Sequence, residues 1–238
     1  MTPAPREGVS VGVVIPAAGE GRRMGGRRKP FLALQGEPVL VHALRPFLTH
    51  PAVTAVRVAL SAEDANDPPG WLRGLDPRLL LVAGGASRAA SVRAGLDALD
   101  DVDVVLVHDA ARPLVTRAII DRCIAAADAG KGAVAGWPAT DTLKQVDDGL
   151  RIVATPDRSR IWHAQTPQAF PAELLRRAYA AWDGTEATDD ATLVERVGGT
   201  VVMVEGSATN LKVTLPEDLA VAEVLLAMDG PDRSEHGG

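Results

Sequence analysis

The sequence predicts an α/β fold with a mostly parallel sheet and helices on both faces. Three observations carry that expectation. Residues 9–15, 53–61 and 103–107 are apolar, largely β-branched runs, the pattern of strands buried on both faces. Helical patterns separate these runs, and strands alternating with helices build parallel sheets. The chain has 238 residues and is 46% hydrophobic, enough for a sizeable core. Residues 1–230 read as a single domain and 231–238 as a polar, flexible tail.

Each element follows from its own residues. After the first strand at 9–15, a glycine-rich loop with a basic cluster runs to Pro30. A helix follows over 38–48, which Pro46 is expected to kink or end. Residues 53–61 form a second strand, 62–78 look irregular, and 79–82 form a short third strand. Ser87 is the expected cap of a helix reaching about residue 99, with Val92, Leu96 and Leu99 as its buried stripe. After the strand at 103–107, Thr116 is the expected cap of the next helix. That helix carries an apolar stripe of Ile119, Ile120, Cys123, Ile124 and Ala127. Residues 133–137 are a further strand. The stretch 139–165 alternates short β-like pieces with turn signals such as Asp147-Asp148-Gly149, so it reads as a hairpin-like excursion. Helices return over 171–182 and 189–197, and a strand over 200–205. Thr214 and Glu217 suggest a capping box for a last helix to about residue 228.

Composition removes several function classes. The net charge of −6 argues against a generic nucleic-acid binder, and the four tryptophans are too scattered to form a stacking platform. Cys123 is the single cysteine, which leaves no intrachain disulfide and no cysteine-rich zinc site. It sits on an apolar helix stripe and reads as a core residue. There is no signal-peptide pattern and no run approaching about 20 apolar residues, so a cytoplasmic protein without a membrane span is expected.

In a parallel sheet the ligand lies beyond the carboxyl ends of the strands. The loops to inspect are 16–30, 84–91, 108–113 and 138–144. The first reads Pro16-Ala17-Ala18-Gly19-Glu20-Gly21-Arg22-Arg23-Met24-Gly25, followed by Arg27, Arg28 and Lys29. Small residues expose backbone N–H groups to phosphate oxygens, and the five bases supply positive charge. The spacing fits neither a P-loop nor the dinucleotide fingerprint. A polyphosphate cradle is the expected reading, against a glycine-rich turn carrying solvated arginines.

The same loop resembles the signature of the sugar-phosphate nucleotidyltransferases, in residues 17–24 followed by Lys29. Further motifs resemble one branch. They are Gly84-Gly85, Ser87-Arg88, Ser91-Val92, His108-Asp109-Ala110-Ala111-Arg112-Pro113, Asp141-Thr142-Leu143-Lys144, Trp162-His163-Ala164-Gln165-Thr166-Pro167-Gln168, Thr188-Asp189-Asp190 and Asn210-Leu211-Lys212-Val213-Thr214. In this order they are similar to the 2-C-methyl-D-erythritol 4-phosphate cytidylyltransferases, from about residue 10 to 228. The resemblance implies a Rossmann-like sheet with a protruding β-arm, about 139–165, that makes a homodimer. It implies transfer of a cytidylyl group from CTP to methylerythritol phosphate, with pyrophosphate released and Mg²⁺ as cofactor.

The resemblance also implies residue roles. Arg23 and Lys29 would stabilise the transition state. Ala17, Ala18, Gly19, Gly85, Ser91, Asp109 and Ala110 would form the nucleotide site. Thr142, Arg158, Thr166, Thr188 and Lys212 would meet methylerythritol phosphate, with Thr142 and Arg158 acting across the dimer. Asp109 would support Mg²⁺ as an exposed carboxylate, or hold Arg112 and Lys212. On residues alone, the favoured reading of Arg158 is a surface arginine paired with Asp157, and the alternative for Lys212 is a strand-end lysine. His108 and His163 read as packing and hydrogen-bonding residues. Two positions depart from many family members, which carry acids where this chain has Ala86 and Thr209. A sister enzyme using ribitol 5-phosphate and a non-catalytic nucleotide-binding module are the competing functions.

Overall fold

The computed structural model describes residues 6–19 and 29–228, with the backbone alone at Lys29. Arg23, the rest of loop 20–28 and the tail at 231–238 lie outside the described residues. Strand β1 (Val11–Pro16) is followed, after the loop, by a 3-10 turn at Lys29–Phe31 and a small hairpin of β2 (Ala33–Leu34) and β3 (Glu37–Pro38). Next come α1 (Val39–Leu48), β4 (Val53–Leu60), α2 (Ala62–Asn66), β5 (Leu79–Ala83), α3 (Arg88–Asp97) and β6 (Val104–Val107). Then follow α4 (Arg117–Asp128), β7 (Gly132–Pro138), β8 (Gln145–Val146), β9 (Ile152–Ala154) and β10 (Trp162–Pro171). The chain closes with α5 (Ala172–Ala180), α6 (Asp190–Arg196), β11 (Val201–Glu205) and α7 (Pro216–Met228).

Seven strands form one sheet in the order β11-β7-β10-β6-β1-β4-β5. All neighbours are parallel except β10, which runs antiparallel to both β6 and β7. Side chains alternate across β1 because a strand has a period of two. Val11, Val13 and Ile15 join α1 and α4 in one core, with Leu40, Leu44, Phe47, Ile120 and Cys123. Val14 faces the other way, into a core built with α3, α5 and α6 from Val92, Leu96, Leu175, Tyr179 and Val194. Cys123 is fully buried, and that burial pushes its thiol up to about 12. α3 approaches the sheet closely at Gly95, where a Cβ would lie 2.5 Å from Val14 Cγ1. A third, smaller cluster seats α7 against the β2–β3 hairpin through Leu34, Val39, Val213 and Ala222.

Several local expectations are corrected. Pro46 sits inside the last turn of α1, and the helix runs on to Leu48. The N–H missing at Pro46 leaves out one helical bond, to His42 O four residues back, while the turn after it still closes, with Thr49 N donating to Arg45 O at 3.0 Å. The irregular stretch 62–78 contains α2, capped by the Ser61 side chain accepting from Asp64 N. Ser87 caps α3 as expected, accepting from Ala90 N at 3.1 Å, whereas Thr116 makes no side-chain cap bond at α4. At α7 the cap partner is Asp218 rather than Glu217. Its Oδ2 accepts from Thr214 N, Thr214 Oγ1 and Leu215 N at 2.6–2.8 Å.

The largest difference is β10. The sequence pattern assigns residues 162–165 to the excursion and no strand to 166–170. The structure makes Trp162–Pro171 a central strand of the sheet. Its pairing with β7 is irregular between Ala164 and Gln168, and that interval holds Pro167. A proline is tolerated in a strand where the ladder is interrupted. The excursion proper is a two-stranded antiparallel hairpin, β8 with β9.

Candidate active site

The carboxyl ends of β1, β4, β5 and β6 lie side by side because these strands are parallel neighbours. At β1 the chain continues along β4, with Ala17 N donating to Ala59 O at 2.7 Å. At β5, Gly84 N donates to Leu60 O at 2.7 Å. These two loops touch. A Cβ on Gly84 would fall 2.7 Å from Ala18 Cβ and 2.8 Å from Ser91 Oγ, so only glycine fits there. Ser91 is buried, and its hydroxyl is engaged within the loop. It donates to Ser87 O at 2.9 Å and accepts from Gly85 N at 3.2 Å. Ala17, Ala18, Gly85 and Ser91 are thus brought together, and Gly19 continues the first loop.

Beyond β6 the chemistry becomes ionic. Asp109 is buried rather than exposed, and its two oxygens hold two cations. Arg88 Nε donates to Oδ1 at 3.0 Å and Lys212 Nζ to Oδ2 at 2.7 Å, while Arg112 Nε stands 4.0 Å from Oδ2. Burial by itself would raise the Asp109 carboxyl. Arg88 and then Lys212 reverse this and hold it well below the usual carboxylate range. Arg112 donates from Nη1 to Asn210 O at 2.7 Å, tying this cluster to the loop before α7. Asn210 donates onward to Thr166 O at 2.9 Å. Lys212 lies in that loop, not at a strand end, and its side chain is 42% exposed.

Thr166 is buried beneath the cluster and organises it. Its Oγ1 accepts from Asp109 N at 2.9 Å and lies 3.1 Å from His108 Nδ1. His108 Nε2 is 3.0 Å from Arg112 O, an acceptor, so Nε2 carries the proton and Nδ1 accepts from Thr166. Burial lowers His108 to about 4, which keeps the ring neutral. Ala110 is buried beside them.

A second carboxylate supports the first. Asp190, at the start of α6, is fully buried and accepts from Arg88 Nη2 at 2.8 Å and Tyr179 Oη at 2.5 Å. Gln168 Oε1, from β10, accepts from Asp190 N and Ala191 N. Burial, followed by Asp190, pushes the Tyr179 hydroxyl up. Thr188 is exposed two residues before Asp190, and Asp189 caps α6 by accepting from Thr192 N. The sequence patterns do not single out Arg88, Arg112, Gln168, Tyr179, Asp190 or Asn210 as site residues. For all but Tyr179, the one signal was a charged or amide side chain inside a motif, at a position the fold buries or half-buries.

Thr142 and Arg158 stand apart from this cluster. Both are exposed in the excursion, and no described hydrogen bond or ion pair links either to Asp109, Lys212 or Asp190. Arg158 donates to Thr140 O, while Asp157 accepts from Ser159 N and Oγ, so the expected Arg158–Asp157 pair is not formed. His163 is exposed and stacks on Trp137 at 5.1 Å. Thr209 Oγ1 lies 2.7 Å from Ser207 Oγ. Among the described residues no three His, Cys, Asp or Glu side chains converge as metal ligands. Both Asp109 oxygens are taken by cations, so the described donors do not fit a protein-held Mg²⁺.

A glycine-bearing strand-end site with clustered cations belongs to the class that handles phosphorylated ligands. Comparison with known proteins narrows the class. Residues 11–228 match the family model of 2-C-methyl-D-erythritol 4-phosphate cytidylyltransferase. A cytidylyltransferase of that description from Syntrophotalea carbinolica is 45% identical over 236 residues, covering 93% of this chain and 98% of that protein. One from Aeromonas hydrophila is 46% identical, covering 90% and 88%. Among solved structures, the cytidylyltransferase of Thermus thermophilus is 39% identical, with a TM-score of 0.75 over 92% of this chain and all of that one. The 4-diphosphocytidyl-2C-methyl-D-erythritol synthase of Anaerococcus prevotii is 28% identical, with a TM-score of 0.82 over 93% and 97%. The chain belongs to the 2-C-methyl-D-erythritol 4-phosphate cytidylyltransferase family. Its activity is transfer of a cytidylyl group from CTP to 2-C-methyl-D-erythritol 4-phosphate, forming CDP-methylerythritol.

Proposed function

We propose that the reaction is an in-line attack by the methylerythritol phosphate oxygen on the α-phosphorus of CTP, with pyrophosphate leaving. A phosphomonoester has a second pKa near 6, so it is largely dianionic at neutral pH and needs no general base. The barrier is the approach of two anions and the crowded charge of the transition state, which positioned cations relieve. Arg23 and Lys29 serve that purpose; Arg23 and the Lys29 side chain lie outside the described residues. Ala17, Ala18, Gly19, Gly85, Ser91, Asp109 and Ala110 form the nucleotide side, with Ser91 acting through the loop it braces. Thr142, Arg158, Thr188 and Lys212 meet methylerythritol phosphate. Thr166 acts from below, by holding the Asp109 backbone. Mg²⁺ would arrive with CTP as part of the substrate and would offset phosphate charge, with no described side chain assigned to hold it.

The observation that carries this reading is Asp109 at the end of β6. One buried carboxylate gathers Arg88 and Lys212 beside the Ala18–Gly84 loop contact. The catalytic unit is one domain, 1–230, with the arm shortened to 139–161 because β10 begins at Trp162. The arm pairs two copies into a homodimer, so Thr142 and Arg158 reach the partner's site. The exposed Val146, Leu150, Ile152 and Val153 on the arm support this assembly. No described helix is long and apolar enough to cross a membrane.

A substrate panel with CTP, scored by pyrophosphate release, tests the reading. Methylerythritol phosphate is expected to turn over fastest, and faster turnover of ribitol 5-phosphate would overturn the substrate assignment. In the same assay Lys29→Ala should lower kcat by about a hundredfold or more, with little change in KM for methylerythritol phosphate. An intact kcat would remove Lys29 from its role.

A further inference from the structure

Arg88 opens α3, one residue after the Ser87 cap, and its side chain lies between two carboxylates. Nε donates to Asp109 Oδ1 at 3.0 Å, and Nη2 donates to Asp190 Oδ2 at 2.8 Å. Three separate parts of the chain therefore meet on one guanidinium: the start of α3, the loop after β6 and the start of α6. A cation near a helix N-terminus opposes the helix dipole, so these carboxylates must outweigh that field. Asp190 is an anchored anion, with Tyr179 on its other oxygen and Gln168 on its backbone N–H. Arg88 is braced on Asp190, and Asp109 is braced on Arg88.

We propose that Arg88 is a positioning residue for the polyol-phosphate half of the site, acting through Lys212 on one side and Thr188 on the other. This rests on the assignment of Lys212 and Thr188 to methylerythritol phosphate. Asp109 carries a single negative charge, and Lys212 takes only Oδ2, at 2.7 Å. With Oδ1 held by Arg88, that charge is shared, and the half-exposed Lys212 keeps positive potential for an incoming phosphate. Without Arg88, Lys212 becomes the chief counter-ion of Asp109 and is drawn away from substrate. On the other side, Asp190 lies two residues after Thr188, so fixing Asp190 fixes the backbone that presents Thr188. Only a planar, branched cation spans both carboxylates; an ammonium is a point charge and holds one.

Steady-state kinetics of Arg88→Lys test the proposal. KM for methylerythritol phosphate should rise by about tenfold, and by several times more than KM for CTP, which Arg88 reaches only through Asp109. Arg176→Lys is the structural control. Arg176 ties α5 to the far end of α3 through the carbonyls of Leu96 and Leu99. Its replacement lowers the melting temperature and the active fraction without moving either KM. If Arg88→Lys behaves the same way, with both KM values unchanged and kcat scaled to the folded fraction, the proposal is overturned. Where the lysine variant does not fold, Arg88→Gln is judged by the same split. Lys212→Ala and Thr188→Ala are run alongside. If they leave KM for methylerythritol phosphate unchanged, the substrate assignment falls and this proposal with it. If they raise it and Arg88→Lys does not, only the role of Arg88 falls.

Discussion

The cluster beyond β6 and the hairpin arm invert each other's polarity. In the cluster, charge is buried: Asp190 is fully enclosed and Asp109 nearly so, yet cations and a hydroxyl from the same chain answer their oxygens. In the arm, apolar surface is exposed: Leu150, Ile152 and Val153 are 80%, 62% and 58% accessible. Buried charge is stable only when paired, and exposed apolar patches mark interaction surfaces. One region therefore pairs its buried carboxylates within a single copy, leaving Arg112 Nε and Asn210 Oδ1 as buried atoms without a hydrogen-bond partner among the described residues. The other is left uncovered by the described residues of its own chain, which is the physical case for a second copy.

The comparison breaks first at Asp109. Asp109→Ala should lower stability by about 3–5 kcal/mol, because Arg88, Lys212 and Arg112 lose their shared anion. Chemical denaturation measures this, and a loss below about 1 kcal/mol would mean the cluster is not the closed unit described. The acid dependence has the matching sign. The folded Asp109 carboxyl is depressed, so its contribution is full above the unfolded value of about 3.9 and is lost as pH falls below it.

The arm is tested by Ile152→Glu combined with Val153→Glu. These should convert a dimer to a monomer by light scattering and lower kcat/KM for methylerythritol phosphate by about tenfold or more, the scale of losing a charged hydrogen bond from Arg158. Unchanged assembly would show that the exposed apolar arm has another use.

His108 sharpens the contrast within the cluster. Its ring is neutral in the fold, with a value of about 4 against about 6.5 unfolded, so stability is full above about pH 6.5 and falls toward pH 4 by up to about 3 kcal/mol. Thermal melts across that range should show the loss, and His108→Gln should flatten it. The smallest effect separates two helix caps. Ser87→Ala should cost about 1 kcal/mol, and Thr116→Ala less than about 0.5, since Thr116 makes no side-chain cap bond.

The strands β1, β4, β6 and β7 were legible because each is an apolar run with its own local signal. α3 and α4 were legible from their stripes. β10 was not, because Gln165, Thr166 and Gln168 are polar and Pro167 interrupts them. Their side chains are satisfied only by distant partners: Ser207 O for Gln165, His108 for Thr166 and Asp189 for Gln168. The signature loop and the later motifs were legible as chemistry. Which of their side chains face ligand and which brace the site was not, as the enclosed hydroxyls of Ser91 and Thr166 show.

By itself, then, the sequence determined the layered α/β plan, the strand ends as the place for anions, and the family through its ordered motifs. These rest on period-two and period-3.6 patterns and on short local spacings. Only the tertiary structure decided that β10 enters the sheet antiparallel, and that residues 88, 109, 190 and 212 meet in one ionic cluster. Local patterns cannot specify contacts between segments about 20 to more than 100 residues apart; these are selected by the burial of charge that no single segment can satisfy alone.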